Sequence, residues 1–158
     1  MAEKRSLDRI DFAILDALQN DARLSNKELA ARVGLAPSSC LERVRRLRAD
    51  GVLRGFHADA SPEALGIGLE AMISVRLRVH SRAAFESFSD HLRTLPEAVA
   101  VYQLAGVDDF LVHVAVRDAD HLRELAMDQF TARPEVERME TSLIFEHHRA
   151  AALPRYTE

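Results

Sequence analysis

The sequence predicts an α+β fold in two parts: a bundle of three helices, then a four-stranded antiparallel sheet backed by two helices. Three observations predict it. Up to about residue 50 the apolar residues recur every three or four positions, from Ala71 onward they alternate between period two and period 3.6, and turn formers (Ser61-Pro62, Gly66, Gly68) separate the two regimes. At 158 residues and 47% hydrophobic content, the chain has material for two small cores.

Leu7 to Asn20 reads as the first helix, with Ile10, Ile14 and Leu18 on one stripe and Ala13 and Ala17 beside it. A capping-box pattern opens the second: the Ser25 hydroxyl can accept from the Glu28 backbone N–H while the Glu28 carboxylate reaches back to Ser25. Leu29, Ala30 and Val33 share one face of that helix, and Gly34 supplies the left-handed residue that ends it. After the turn Gly34-Leu35-Ala36, Pro37 suits the first position of a third helix running to Asp50 and stopping at Gly51. The core expected of the bundle is Ile10, Ile14, Leu18, Leu29, Val33, Leu41, Val44 and Leu47, with Cys40 on the same stripe.

The other side of the third helix is Ser38, Ser39, Glu42, Arg43, Arg45, Arg46 and Arg48. Two helices joined by a three-residue turn, the second with a basic polar outer face, form the helix-turn-helix arrangement, whose second helix enters the major groove of DNA. Ser38 and Ser39 are small enough for close approach to base or phosphate. Arg43 and Arg46, three apart, are expected to reach guanine edges or phosphates, and Arg45, Arg46 and Arg48 are expected on phosphate. The competing reading is a solvated basic face on an ordinary helical hairpin; the capping box and glycine turn favour DNA binding.

In the second part, Ala71, Ile73, Val75, Leu77 and Val79 alternate with polar partners, giving a strand with one buried face. Ser81 caps a helix with the stripe Phe85, Phe88, Leu92 and Leu95, closed by Pro96. Val99 to Leu104 and Phe110 to Val116 are the second and third strands. Asp118 opens a helix with Leu122, Leu125, Ala126 and Phe130, and Val136 to Glu146 is the last strand. The order β-α-β-β-α-β is the ferredoxin-like split unit, with both helices on one sheet face. Met72, Val99, Val101, Leu111 and Ile144 are expected on the other face, apolar enough to call for a second copy stacked sheet to sheet, so a homodimer is predicted.

The expected domains are therefore 1–55, a winged or plain helix-turn-helix DNA-binding head; 56–68, a linker; and 69–158, the sheet domain. Charge divides along the same line. Through Gly55 there are 11 Lys and Arg against 8 Asp and Glu, net +3, and beyond it 10 against 17, net −7, which together give the chain its −4. A basic head is steered to phosphate while an acidic body stays off it.

One cysteine forms no intrachain disulfide, and the sequence has neither an apolar run of transmembrane length nor a cleavable signal pattern, so a cytoplasmic location is expected. Cys40 is open to two readings, a redox switch on the third helix or a small buried thiol; its place on the apolar stripe favours the second. The seven histidines show no zinc-like spacing, and adjacent His147 and His148 are expected on opposite strand faces. No metal site and no cofactor are predicted.

Several stretches of the chain resemble the Lrp/AsnC, or feast/famine, regulators. They are Leu7-Asp8-Arg9-Ile10-Asp11, the run Leu35 to Leu47 with Cys40-Leu41-Glu42-Arg43-Val44-Arg45-Arg46-Leu47 at its centre, Gly55-Phe56, and Gly106 through Phe110. The run from Cys40 is especially similar to the leucine-responsive members. The resemblance implies a transcription factor whose C-terminal domain senses an amino acid, dimerises and assembles further, commonly to octamers. It also implies an effector pocket between protomers, built from the turn Gly106-Val107-Asp108-Asp109-Phe110 and from last-strand residues Thr141 and Ser142. The chemistry suits a zwitterion: N–H groups from Gly106 to Asp108 can meet its carboxylate, and Asp109 or Thr141 its ammonium. The plainer reading is that Gly106 makes a hairpin turn and Asp109 holds it.

Two positions depart from the family pattern. Ala36 stands where many members carry Ser or Thr, which removes a side-chain cap of about 1 kcal/mol and leaves DNA phosphate to satisfy those amides. Asp108 stands where an aromatic residue is frequent, so a cationic or strongly polar ligand, or none, is expected. Two other functions compete with the ligand-responsive regulator. One is an architectural protein wrapping DNA with little base readout and no effector. The other is an enzyme, since ferredoxin-like dimers also house small oxygenases, but the sequence offers no nucleophile beside a base and no metal cluster, and His113 reads as a packed or hydrogen-bonded residue.

Overall fold

Asp8 and Ser25 start the first two helices by the same chemistry. In the computed structural model, which describes residues 6–148 and 150–156, α1 spans Arg9–Asn20. The Asp8 carboxylate accepts from the N–H groups of Ile10 and Asp11, each at 2.9 Å, while the Asp11 carboxylate accepts from the Asp8 N–H. That box sets the start of α1 two residues later than Leu7. Helix α2, Asn26–Val33, opens on the expected Ser25–Glu28 box. It ends at Gly34, whose φ of 72° lies in the left-handed region that favours glycine, with the Leu35 N–H reaching back 2.9 Å to the Ala30 carbonyl. Helix α3 spans Pro37–Ala49, and Ala36 gives it no side-chain cap.

Ile14, Ala17, Leu18, Leu29, Ala30, Cys40 and Leu47 are buried as the core of this helical unit, with Ile10, Val33 and Val44 packed at its margin. Leu41, expected inside, is 39% exposed. The reason is angular: at about 100° per residue, Cys40, Val44 and Leu47 fall within one narrow sector, while Leu41 swings a quarter-turn away. Val52 to Ala60 forms no strand; the Val52 and Leu53 N–H groups turn back to the Leu47 carbonyl at 3.0 and 2.9 Å.

The sheet unit runs β1 (Leu69–Leu77), α4 (Arg82–Thr94), β2 (Ala98–Gln103), β3 (Phe110–Val116), α5 (Ala119–Ala126) and β4 (Val136–Ile144), with a π-helical turn at Met127–Thr131 extending α5. The strands pair antiparallel in the order β2-β3-β1-β4, so β2 and β4 are edges. One face buries Ala71, Ile73, Val75, Leu77, Phe110, Val112, Val114 and Val116 against Phe88, Leu92, Leu122, Leu125 and Phe130. Ser81 and Asp118 cap the two helices as expected. Gly68 is needed by close approach: a Cβ there would sit 2.4 Å from the Arg117 carbonyl oxygen.

Two expectations about this sheet are corrected. An irregularity between Ala98 and Ala100 shifts β2 by one residue, so Val101 faces Val112 and packs into the helix-covered core instead of lying on the open face. Strand β4 stops at Ile144, so His147 and His148 lie outside it. Residues 60–147 form one compact unit, and the described residues from 148 onward group with the helical one. Among the described residues, no helix is long and apolar enough to cross a membrane.

Candidate nucleic-acid and effector sites

The three elements of the head are fixed to one another by polar bonds as well as by packing. Asn26, in the first turn of α2, donates from Nδ2 to the Pro37 carbonyl at 2.8 Å and so ties the start of α2 to the start of α3. Across the bundle, Arg43 Nη1 donates to Asp8 Oδ2 at 2.6 Å and to Asp11 Oδ1 at 2.9 Å, and Arg46 Nη2 donates to both oxygens of Asp11 at 2.8 and 2.9 Å. Asp11 is 2% exposed. The Arg43 guanidinium holds the Asp8 carboxyl below its ordinary range, and Asp8 in turn raises Arg43.

This network divides the side chains expected to face DNA into two groups. Arg43 lies about 60° from Cys40 around the helix, on the flank turned to α1, and Arg46 lies about 60° further along the same flank. Both are half-buried and engaged with carboxylates. Ser38, Ser39, Glu42, Arg45 and Arg48 stay exposed, with Leu41 among them. The signal that finds this is present in the sequence: two carboxylates three apart at the start of α1 and two arginines three apart in α3. Cys40 is fully buried, and burial raises its thiol pKa, which favours an inert core residue over a redox switch.

In the sheet unit, the turn between β2 and β3 carries Gly106, Val107, Asp108 and Asp109. Asp109 is turned inward. Its Oδ2 accepts from the Leu77 N–H at 2.7 Å and lies 3.4 Å from His80 Nε2, its N–H donates to the Val75 carbonyl at 2.9 Å, and its own carbonyl accepts from Leu104 at 2.8 Å. It therefore ties the turn to the end of β1, as the plainer reading of the sequence had it. Gly106, however, does not have a positive φ, and a Cβ on it would meet nothing within 4 Å. Neither backbone strain nor crowding within this chain requires glycine there.

Val107 projects outward at 70% exposure, and its carbonyl accepts from Arg76 Nη1 at 3.3 Å; Arg76 also pairs with Glu137 at 3.4 Å. Arg138 pairs with Glu140, and its pKa is raised chiefly by that partner and slightly by Asp108. Of these charged groups Arg76 touches the turn itself, while Arg138 feels Asp108 from β4 and Glu140 follows as the partner of Arg138.

Thr141 and Ser142 are not brought to the turn within one chain. They pair with Ile73 and Met72 on the β4 flank of β1, whereas the turn stands off the β3 flank, roughly 10 Å away across two strand spacings. They also point apart: Ser142 shares the open face with Met72, and Thr141 the face of Ile73. Two clefts on the helical side of the sheet unit, of about 420 and 530 Å³, are lined by neither the turn nor these two residues. The open face of the sheet carries Met72, Leu111, Ala115 and Ile144 around a polar centre in which His113 Nε2 lies 2.6 Å from Glu70 Oε2. His113 is thus the hydrogen-bonded residue expected. Among the described residues, no group of three His, Cys, Asp or Glu is gathered as a metal site.

Comparison with known proteins accounts for both units. Residues 7–54 match a winged helix-turn-helix DNA-binding model, although no wing strand follows α3 among the described residues, and residues 70–152 match the Lrp/AsnC ligand-binding domain. The chain is 51% identical over 148 residues to the HTH-type transcriptional regulator AldR of Mycolicibacterium smegmatis, covering 94% of this chain and 86% of that protein. It is 36% identical over 142 residues to the leucine-responsive regulatory protein of Escherichia coli, covering 90% and 87%. A transcriptional regulator of Neisseria meningitidis, solved as a complex with L-Met, superposes with a TM-score of 0.87 at 33% identity over 94% of this chain and 97% of that one. With a helix-turn-helix head, a ligand-binding sheet domain and relatives that are regulators and not enzymes, this chain belongs to the Lrp/AsnC family of transcriptional regulators.

Proposed function

We propose that this regulator reads DNA through Ser38, Ser39 and Glu42, grips phosphate through Arg45 and Arg48, and responds to an amino acid held between protomers. The observation that carries the DNA part is the division of α3, in which those five side chains are exposed while Arg43 and Arg46 serve the fold. The amino-acid part is supported by the relative solved with L-Met and by the open turn at Gly106, where nothing in this chain fills the space a side chain would take. With Asp109 committed to Leu77, the ammonium falls to Asp108 or Glu140, and the carboxylate to the turn N–H groups and Arg76. Ser142 enters such a pocket from a partner protomer, and Thr141 faces away from the open side on which the partner packs.

The partner stacks on the open sheet face, giving a homodimer that assembles further to an octamer. Effector binding changes how protomers pack and so the spacing of the heads on a pseudo-palindromic site, in the cytoplasm where duplex DNA is found. The test is a thermal-shift screen of the twenty amino acids, followed by operator binding with each one that stabilises the protein. The expected result is one or a few amino acids that raise the melting temperature and change half-site preference; uniform silence across the set rejects the sensor.

A second reading, the architectural DNA binder without effector, gains from the same division of α3, because the two arginines best able to read guanine are occupied internally. It is distinguished by equal affinity for operator and scrambled duplex at matched salt.

A further inference from the structure

The helical unit contains a piece of chain that neither its helix-turn-helix match nor its three-helix pattern includes. After β4 the chain returns to this unit, where the Leu153 N–H donates to Gln19 Oε1 at 2.9 Å and the Arg155 guanidinium carbon lies 4.7 Å from the centre of the Phe12 ring. Phe12 and Gln19 are seven residues apart, two turns along one face of α1, so both contacts fall on the same stripe. A guanidinium over an aromatic face is attracted by the ring quadrupole, and a backbone N–H on a side-chain amide fixes direction. Each contact is weak alone, but the segment is tethered, so docking occurs at an effective concentration far above that of a free peptide.

Helix α1 is also what holds the recognition helix in place. Asp11, next to Phe12, carries Arg46 and shares Arg43 with Asp8. Whatever stiffens α1 therefore stiffens the frame on which α3 is mounted.

We propose that residues 150–156 are a strap of the DNA-binding head, seated on the Phe12–Gln19 face of α1, which stabilises α1 and α3 and gives the ligand-binding domain a second covalent tie to the head through β4. The strap has no part in the core: Leu153 and Tyr156 are largely exposed, so it can be removed without opening a cavity. Its role is to raise the opening free energy of a small bundle whose own core is modest.

The test compares the full chain with a chain ended after His148, and with the exposed-site variants Arg155→Ala and Gln19→Ala, by amide hydrogen exchange and by binding to a mixed-sequence DNA duplex. Exchange across α1 and α3 is expected to quicken about two- to fivefold in all three, with β1 and β3 unchanged and duplex binding weakened by a similar factor. Unchanged exchange in α1 after truncation overturns the strap. Faster exchange with unaltered duplex binding overturns its link to the recognition helix. The amino-acid response plays no part in either readout, so failure here is distinct from failure of the sensor reading.

Discussion

Asp11 accepts from Arg46 Nη2 with both carboxylate oxygens, at 2.8 and 2.9 Å, and from Arg43 Nη1 at 2.9 Å, with its carboxylate buried between α1 and α3. Removing it strands Arg46 at the bundle's margin, leaves Arg43 with Asp8 alone, and deletes half of the α1 capping box. Breaking a buried pair from one side costs about 3–5 kcal/mol, and the partial exposure of both arginines lowers this to about 2 kcal/mol for Asp11→Ala. Denaturant unfolding followed by helical circular dichroism checks it, and a loss below about 0.5 kcal/mol would mean that the network is decorative.

Asp8 is the exposed member of the same network, and it titrates. Its carboxyl is held below the ordinary aspartate range by Arg43, and Glu28 is lowered likewise by the Ser25 hydroxyl. A depressed folded-state value means that the unfolded chain binds more protons as the pH falls through about 4. The stabilisation is therefore present above that pH and is lost as the pH drops through the folded-state value. Asp8→Asn keeps a good N-cap but has no charge to lose. Between pH 5 and pH 3 the variant is expected to lose less stability than the parent chain; parallel profiles would contradict this.

The same network underlies the proposed division of the arginines between DNA and fold. Arg45→Ala and Arg48→Ala should each flatten the dependence of log affinity on log salt by about 0.9, the signature of one lost phosphate contact. Arg43→Ala should lower stability and leave that slope unchanged, because its guanidinium is already neutralised by Asp8 and Asp11. Salt titrations of the three variants on one duplex separate the two behaviours, and a slope change in Arg43→Ala equal to that of Arg45→Ala would return it to the DNA-facing set.

Periodicity and caps made most of this architecture legible. The Ser25–Glu28 box, Gly34 at the αL position, Pro37 at the first position of α3 and the alternation through Ile73 and Val75 each name their element by local chemistry. What escaped were relations between distant residues. An arginine run looks like a surface until a partner helix is placed beside it, so Arg43 and Arg46 read as free. Val101 changed face because one irregular residue in β2 inverts everything after it. In the sheet unit the family motif marks the turn at Gly106, but only the register shows that Thr141 and Ser142 stand across β1 from it.

Cys40 reports on the head without perturbing it. It is fully buried beside Leu47 at the centre of the helical core, and burial raises its pKa, so both access and thiolate fraction are low. A thiol reagent at neutral pH should leave native protein unlabelled and label it fully once unfolded. Because labelling requires the head to open, its rate should rise in Asp11→Ala in step with the lost stability. Rapid labelling of the native chain would instead restore a redox role for the recognition helix.

Asp109 makes the sharpest separation between holding the turn and binding a ligand. Asp109→Ala leaves the buried Leu77 N–H without an acceptor and lets go of the β1 end, at a cost of about 1–3 kcal/mol. Asp109→Asn keeps an acceptor oxygen for that N–H and should recover most of the stability. Asp108, whose side chain is only half-buried and holds no strand, should behave in the opposite way: Asp108→Ala is expected to leave the melting temperature within about a degree while abolishing the shift produced by an amino-acid ligand. Melting curves of the three variants, with and without the amino acid that most stabilises the parent chain, decide the matter. If Asp108→Ala retains the full ligand shift, the ammonium partner lies elsewhere, and Glu140 is next in line.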